Sequence, residues 1–291
     1  MRAAVWSLQS PMTLTSKAEL TLRMAALLRR LNDILFVIRR MAAFLRRLSH
    51  ILLAIRLPRL EVQLGSGPEA AAAYRSFTAR HPRYPFFAHK TVGIELMDVH
   101  RFQGFDKYLA TVGGKNSTAY YRRRALRKGH SFVRINKNDH VEEIHAIKIS
   151  APMRQGQPME EEYIKFRARF PVEKNWLYLG IKNDQGRLVA YLDINCVGEV
   201  AYVGPILGHA AFLKDGIMYL LFAEAVRVLM DEESVRYFMY DTYFGGTDGL
   251  RLFKKRIGFQ PFQVRWRINS WSSMSRSEVH GLSDRFDTET A

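Results

Sequence analysis

The sequence predicts an α+β fold: a mixed, mostly antiparallel sheet flanked by helices and preceded by a long amphipathic N-terminal helix. Three observations carry this reading. Three apolar runs, WLYLGIKND, RLVAYLDINCV and EVAYVGPILGH, follow one another across only Asp184-Gln185-Gly186 and a turn near Gly198, which marks an antiparallel meander. Ile217 to Met230 is strongly apolar at helical length. Val235 to Arg267 then reads as strand, Gly-Gly break, short helix and strand, and such crossovers can add a parallel pair. Before all of these, Leu20 to Ile55 keeps an unbroken four-and-three spacing of apolar residues, the seam of one long helix.

That N-terminal stretch contains a tandem duplication, MAALLRRLNDILFVIRR followed at once by MAAFLRRLSHILLAIRL. Of the formal net charge of +16, residues 1 to 60 carry eleven cations against Glu19 and Asp33. Arginine pairs interrupt every apolar run well short of the ~18 residues a membrane span needs. A wide apolar face opposed by arginines suits an anionic membrane surface, a partner helix or a second copy of itself. A helical appendage on the chain's own domain and a cleaved targeting segment are the other readings. The expected organisation is a flexible start (1–16), the basic heptad helix (17–57), a Pro/Gly linker (58–70), a globular domain (71–270) and a flexible polar tail (271–291).

With 47% hydrophobic residues the chain can bury a real core. The single cysteine, Cys196, allows neither an intrachain disulfide nor a cysteine-based metal cluster, and the nine histidines lack ligand spacing, so no metal is expected. A cytoplasmic, reducing setting follows, with the basic helix able to hold the chain at a membrane surface.

Within the domain, TVGIELMDV reads as a strand from Thr91 to Val99 and Phe102 to Val112 as a helix. Asn116 or Ser117 then caps a helix whose last turns hold Arg122, Arg123, Arg124, Arg127 and Lys128 before Gly129. Those cations suit the negative end of a helix dipole; with Tyr120 and Tyr121 beside them, they equally suit a phosphate-bearing partner. A strand from Ser131 to Ile135, a helix from His140 to Ser150 and another from Glu160 to Arg169 lead into the meander.

RRRALRKG, YLGIKNDQGRLVAY and above all YDTYFGGTDGLRLFKKRIGFQP resemble the GNAT-like acyltransferase domain of the Fem-type aminoacyl transferases, over about Ser117 to Arg267. The resemblance implies a GNAT-like domain moving an acyl or aminoacyl group from a thioester or tRNA ester to an amine. Its Phe-Lys pair, here Phe253-Lys254, is expected at the acyl-transfer centre, with Lys254 as the catalytic cation. A fixed cation can stabilise the oxyanion of the tetrahedral intermediate, and Asp241 can orient the amine or take its proton.

For the donor, acyl-CoA or aminoacyl-tRNA, the expected contacts are Lys214 and Gly216 at the start of the apolar helix, with Tyr121, Arg124 and Arg127. GHAAFLKDGIMYLL lacks the compact glycine-rich fingerprint of acetyl-CoA enzymes, which leaves the tRNA ester open. The competing expectation is a non-catalytic GNAT-like module tethered by its basic helix to membrane or nucleic acid.

Overall fold

The computed structural model describes residues 54–269 apart from 82, 83, 155, 156 and 245, together with Leu35, Phe36, Ile38, Arg40 and Met41. Those five positions are helical; the rest of the N-terminal segment up to residue 53, including nearly all of the expected helix, and the tail from residue 270 lie outside the described residues. Residues from Leu57 onward form a compact unit distinct from residues 1–56, and it is described by itself.

In chain order the elements are β1 (Arg59–Gln63), α1 (Pro68–Thr78), β2 (Arg80–His81), β3 (Tyr84–Ala88), β4 (Val92–Asp98), α2 (Phe105–Thr111), α3 (Thr118–Arg127), β5 (Ser131–Arg134), α4 (Val141–Ile149), β6 (Met153–Arg154), β7 (Gln157–Pro158), α5 (Glu161–Ile164), β8 (Trp176–Lys182), β9 (Leu188–Val197), β10 (Val200–Gly208), α6 (Ile217–Met230), β11 (Tyr237–Thr242), α7 (Asp248–Ile257) and β12 (Gln260–Arg267). Eight strands make one sheet in the order β1-β12-β4-β11-β10-β9-β8-β5. The meander β8-β9-β10 is antiparallel, β10 runs parallel to β11, and β1 parallel to β12.

Strand alternation sends the two core layers to opposite faces. Met97, Leu192, Ile194 and Phe238 pack under α2, α3, α6 and α7, with Leu221, Phe222 and Ile257 from the helices. On the other face Ile94, Leu96 and Val200 meet Phe77 of α1, while Leu188 and Tyr191 meet Ile144 and Ile147 of α4. Helix α6 is apolar nearly all round and therefore deeply buried. Its one buried acid, Glu224, is held by Arg122 and Arg227, each at 2.6 Å.

Three sequence expectations are corrected. Residues 58–70 are not a linker: Leu60 and Val62 alternate with polar neighbours, so RLEVQ adds an edge strand along β12, and Pro68 opens α1 at a position where its missing N–H costs nothing. The helix expected from Glu160 to Arg169 is only Glu161–Ile164, which buries none of its residues and so has no packed face to extend it. The helix expected from Phe102 breaks at Gln103 (φ 54) and Gly104 (φ 122) and resumes as α2. The cap after Val112 is Ser117, whose hydroxyl accepts from Tyr120 N. No described helix is long and apolar enough to cross a membrane.

Candidate functional site

The parallel pair at the middle of the sheet is short. β10 and β11 pair only at Val200, Ala201 and Tyr202 against Tyr237, Phe238 and Met239. Just beyond, both strands are distorted at one level. β10 shifts register on β9 between Val203 and Ile206, across Gly204-Pro205, and β11 shifts on β4 between Met239 and Thr242. Asp241 lies inside that second irregularity with φ 50, a left-handed backbone that an aspartate tolerates but does not favour. The strands therefore part and leave a notch in the sheet. Strand edges that part in this way offer N–H and C=O groups to an extended ligand.

Lys254 braces β11 at its bend. It is 1% exposed. Its ammonium lies 2.7 Å from Glu95 Oε2, donates to Thr242 O at 3.0 Å, and sits 4.8 Å from the Tyr240 ring centroid. Burial raises the Glu95 carboxyl above the usual range, and the contact with Lys254 only partly offsets this. Glu95 belongs to β4, Thr242 to β11 and Lys254 to α7, so one ion pair ties three elements together where β11 bends. The cation expected to meet the substrate is thus held in this buried ion pair.

Phe253, its neighbour, packs between Tyr219 (4.7 Å) and Phe222 (5.5 Å) of α6 and joins the core. Asp241 is exposed, at the bend itself. The expected donor residues divide. Tyr121 stacks on Tyr219 at 4.6 Å and 16°, fastening α3 to α6. Gly216 is buried with φ +92, its N–H given to Leu213 O, and a Cβ there would lie 2.7 Å from Tyr121 O. This glycine makes the turn into α6 beneath Tyr121, and its own amide cannot grip a phosphate. Lys214 is exposed one turn earlier. Arg124 and Arg127, with Arg123, have no acidic partner within 4 Å among the described residues, so α3 presents cations that no carboxylate offsets.

On the opposite face of the sheet a cleft of about 120 Å³ runs from Lys148 on α4 to Pro205 at the β10 irregularity. Lys137 and Asp193 pair in its floor at 2.5 Å, with the lysine 4.4 Å from the Phe170 ring. Tyr163 and Tyr191 line it, and burial pushes both phenols above their usual range. Trp176 and Tyr178 stack along one wall, and Trp176 covers Gly204, where a Cβ would lie 2.7 Å from the indole. Burial pushes the Cys196 thiol up to about 12, so it is no nucleophile near neutrality.

Sequence reasoning passed over Glu95, Asp193 and Lys148. The signal was present: each is a lone charge within an apolar run, GIELM, YLDIN and AIKIS. Such a charge needs either a partner or a purpose.

A meander whose last strand crosses through a helix to a parallel neighbour and then splays from it defines the architecture. That course is similar to the one seen in GNAT-type structures. Solved structures with a similar course include FemX (9% identity, TM-score 0.45, covering 58% of this chain and 59% of that one). L-PGS from Bacillus licheniformis is similar over 58% of each chain (16% identity, TM-score 0.40). A GCN5-related N-acetyltransferase from Kribbella flavida is similar over 46% of this chain and 47% of its own (17% identity, TM-score 0.32). The chain thus spans less than two thirds of each. No family model and no curated protein matches it.

Proposed function

We propose that this chain is an N-acyltransferase that moves an acyl or aminoacyl group onto an amine at the notch between β10 and β11, with a tRNA ester as the preferred donor. The observation that carries the reading is the coincidence of the two strand irregularities, Gly204-Pro205 and Tyr240-Asp241, where a three-residue parallel pair ends. The amine nitrogen attacks the donor carbonyl carbon, and the carbonyl oxygen becomes an oxyanion within reach of the freed strand N–H groups. Asp241 takes the proton released by the amine and passes it to the carrier oxygen as the bond from that carbon to it breaks, so that the carrier leaves as its alcohol and the carboxylate is restored. Lys254 and Glu95 are positioning residues that keep β11 bent.

Two features favour a tRNA ester over acyl-CoA. The Gly216 amide is already given to Leu213 O beneath Tyr121, and Arg123, Arg124 and Arg127, with no acidic partner among the described residues, offer cations to a polyanion. The basic N-terminal segment serves as a tether to an anionic membrane surface, to the tRNA or to a second copy of the chain.

The test is purified full-length chain with labelled charged tRNAs and acyl-CoAs across a panel of amines. Transfer from tRNA, falling as salt rises, supports the reading. Transfer from acyl-CoA alone reverses the donor assignment, and no turnover with any donor leaves a non-catalytic binding module.

A further inference from the structure

Three lysines are buried among the described residues, and two of them are matched: Lys254 by Glu95 and Lys137 by Asp193. Lys148 is 6% exposed, yet among the described residues it makes no hydrogen bond and no ion pair. Its ammonium lies 5.0 Å from the centroid of the Tyr163 ring. Four carboxylates line the cleft as well, and none of them bonds Lys148. Asp193 holds Lys137, Glu162 meets Lys165 at 3.6 Å, Glu173 accepts from Trp176 Nε1 at 2.9 Å, and Glu160 is exposed. Arg167 adds further positive charge to the same wall.

A lysine whose stem is buried and whose ammonium opens into a cleft with no anion bonded to it leaves its donors to whatever enters there, and a ligand oxyanion can supply the missing partner. We propose that Lys148 is the anion-binding residue of this cleft, taking an oxyanion group, carboxylate or phosphate, carried by the acceptor and so turning the acceptor's amine toward Pro205 and the notch. The cleft volume suits such a head group, with the remainder of the acceptor extending outward. Burial, then Arg167 and Lys137, hold the Lys148 ammonium below its usual range against the weaker pull of Asp193 and Glu162, as expected of a cation lacking its counter-ion. The inference rests on the acceptor site proposed above, but its test reads binding and not turnover, so either can fail without the other.

The experiment is NMR titration of the ¹³C-lysine-labelled full chain, with the Lys148 signal assigned by its loss in Lys148→Arg. Titrations are run in inert salt, in acetate and in inorganic phosphate at constant ionic strength. Saturable binding of acetate or phosphate that raises the Lys148 pKa is the expected result, and the effective anion names the group. Calorimetry with that anion should show affinity down tenfold or more in Lys148→Met and largely kept in Lys148→Arg. A Lys148 titration unmoved by both anions overturns the proposal, as does equal affinity in a folded Lys148→Met. If Lys148→Met does not fold, the wild-type titration alone decides.

Discussion

Lys254 and Lys148 are buried to almost the same degree on opposite faces of one sheet, and they have been treated in opposite ways. Lys254 is closed in by a carboxylate, a carbonyl and an aromatic ring; Lys148 has the face of a tyrosine beside it and, among the described residues, no hydrogen bond or ion pair. The first arrangement is that of a structural clamp. The second is that of a site awaiting a ligand. The helices carry the same contrast: α3 is pressed onto α6 through Tyr121 and Tyr219, whereas α4 leaves a cleft over β8 and β9.

The hardest test of this contrast is to break the clamp. Lys254→Met leaves Glu95 buried and unmatched, and we expect a loss of about 3–5 kcal/mol. For a domain of this size that corresponds to a fall of roughly 10 °C or more in thermal melting. Replacing both partners with methionine should recover most of it. A single variant that melts like wild type would show that the pair clamps nothing.

Gly216→Ala is next, because a side chain there meets Tyr121 O and must adopt a left-handed backbone. We expect about 1–3 kcal/mol, with hydrogen exchange accelerating first at the start of α6. Uniform acceleration across the domain would instead mean that this face is not locked at Tyr121.

Lys148→Met should change stability by less than about 1 kcal/mol, and in the favourable direction, since it removes an unmatched charge. A denaturant midpoint shifted downward as far as that of Lys254→Met would erase the difference between the two lysines.

Asp215→Asn gives the smallest effect. Burial opposes ionisation of Asp215, but His130 and Lys128, each at 3.3 Å, outweigh it and hold the carboxyl below its usual range. A lowered folded pKa adds stability above the unfolded value of 3.8, and that stability disappears as pH falls through the folded value. Urea unfolding at neutral pH and at about pH 3 should therefore show a slightly shallower acid loss in the variant. Identical slopes would place the His130–Lys128–Asp215 contact outside the forces joining α3 to α6.

The strands of the meander and helix α6 were legible because their apolar periods are long and their turns carry glycine. The parallel pair followed from the crossover through α6. The notch was not legible, since its two bends arise only when β10 and β11 meet different neighbours, β9 and β4. Lys254 was found by its place beside Phe253, but the spacing Leu250, Lys254, Ile257 already put it on the inner face of α7. Its partner Glu95 stands more than 150 positions earlier, and nothing local in the sequence connects them. β1 was hidden by its flanks: Pro58, Gly65 and Gly67 bound a strand and resemble a linker only while β12 is out of view.

One half of the sheet interleaves the ends of the domain. β1 and β4 come from its beginning, β11 and β12 from its close, and they alternate in the order β1-β12-β4-β11. Arg59 lies beside Gln263, about two hundred positions later. On a ribosome, β1 and β4 are made long before their neighbours exist: β4 waits for β11, and β1 stays unpaired until the final strand emerges. Vectorial synthesis therefore cannot complete this sheet piece by piece; its closing event comes when the last strand inserts between two of the first, and a chain stalled shortly before Gln260 would carry two strand edges open to chaperones or to aggregation.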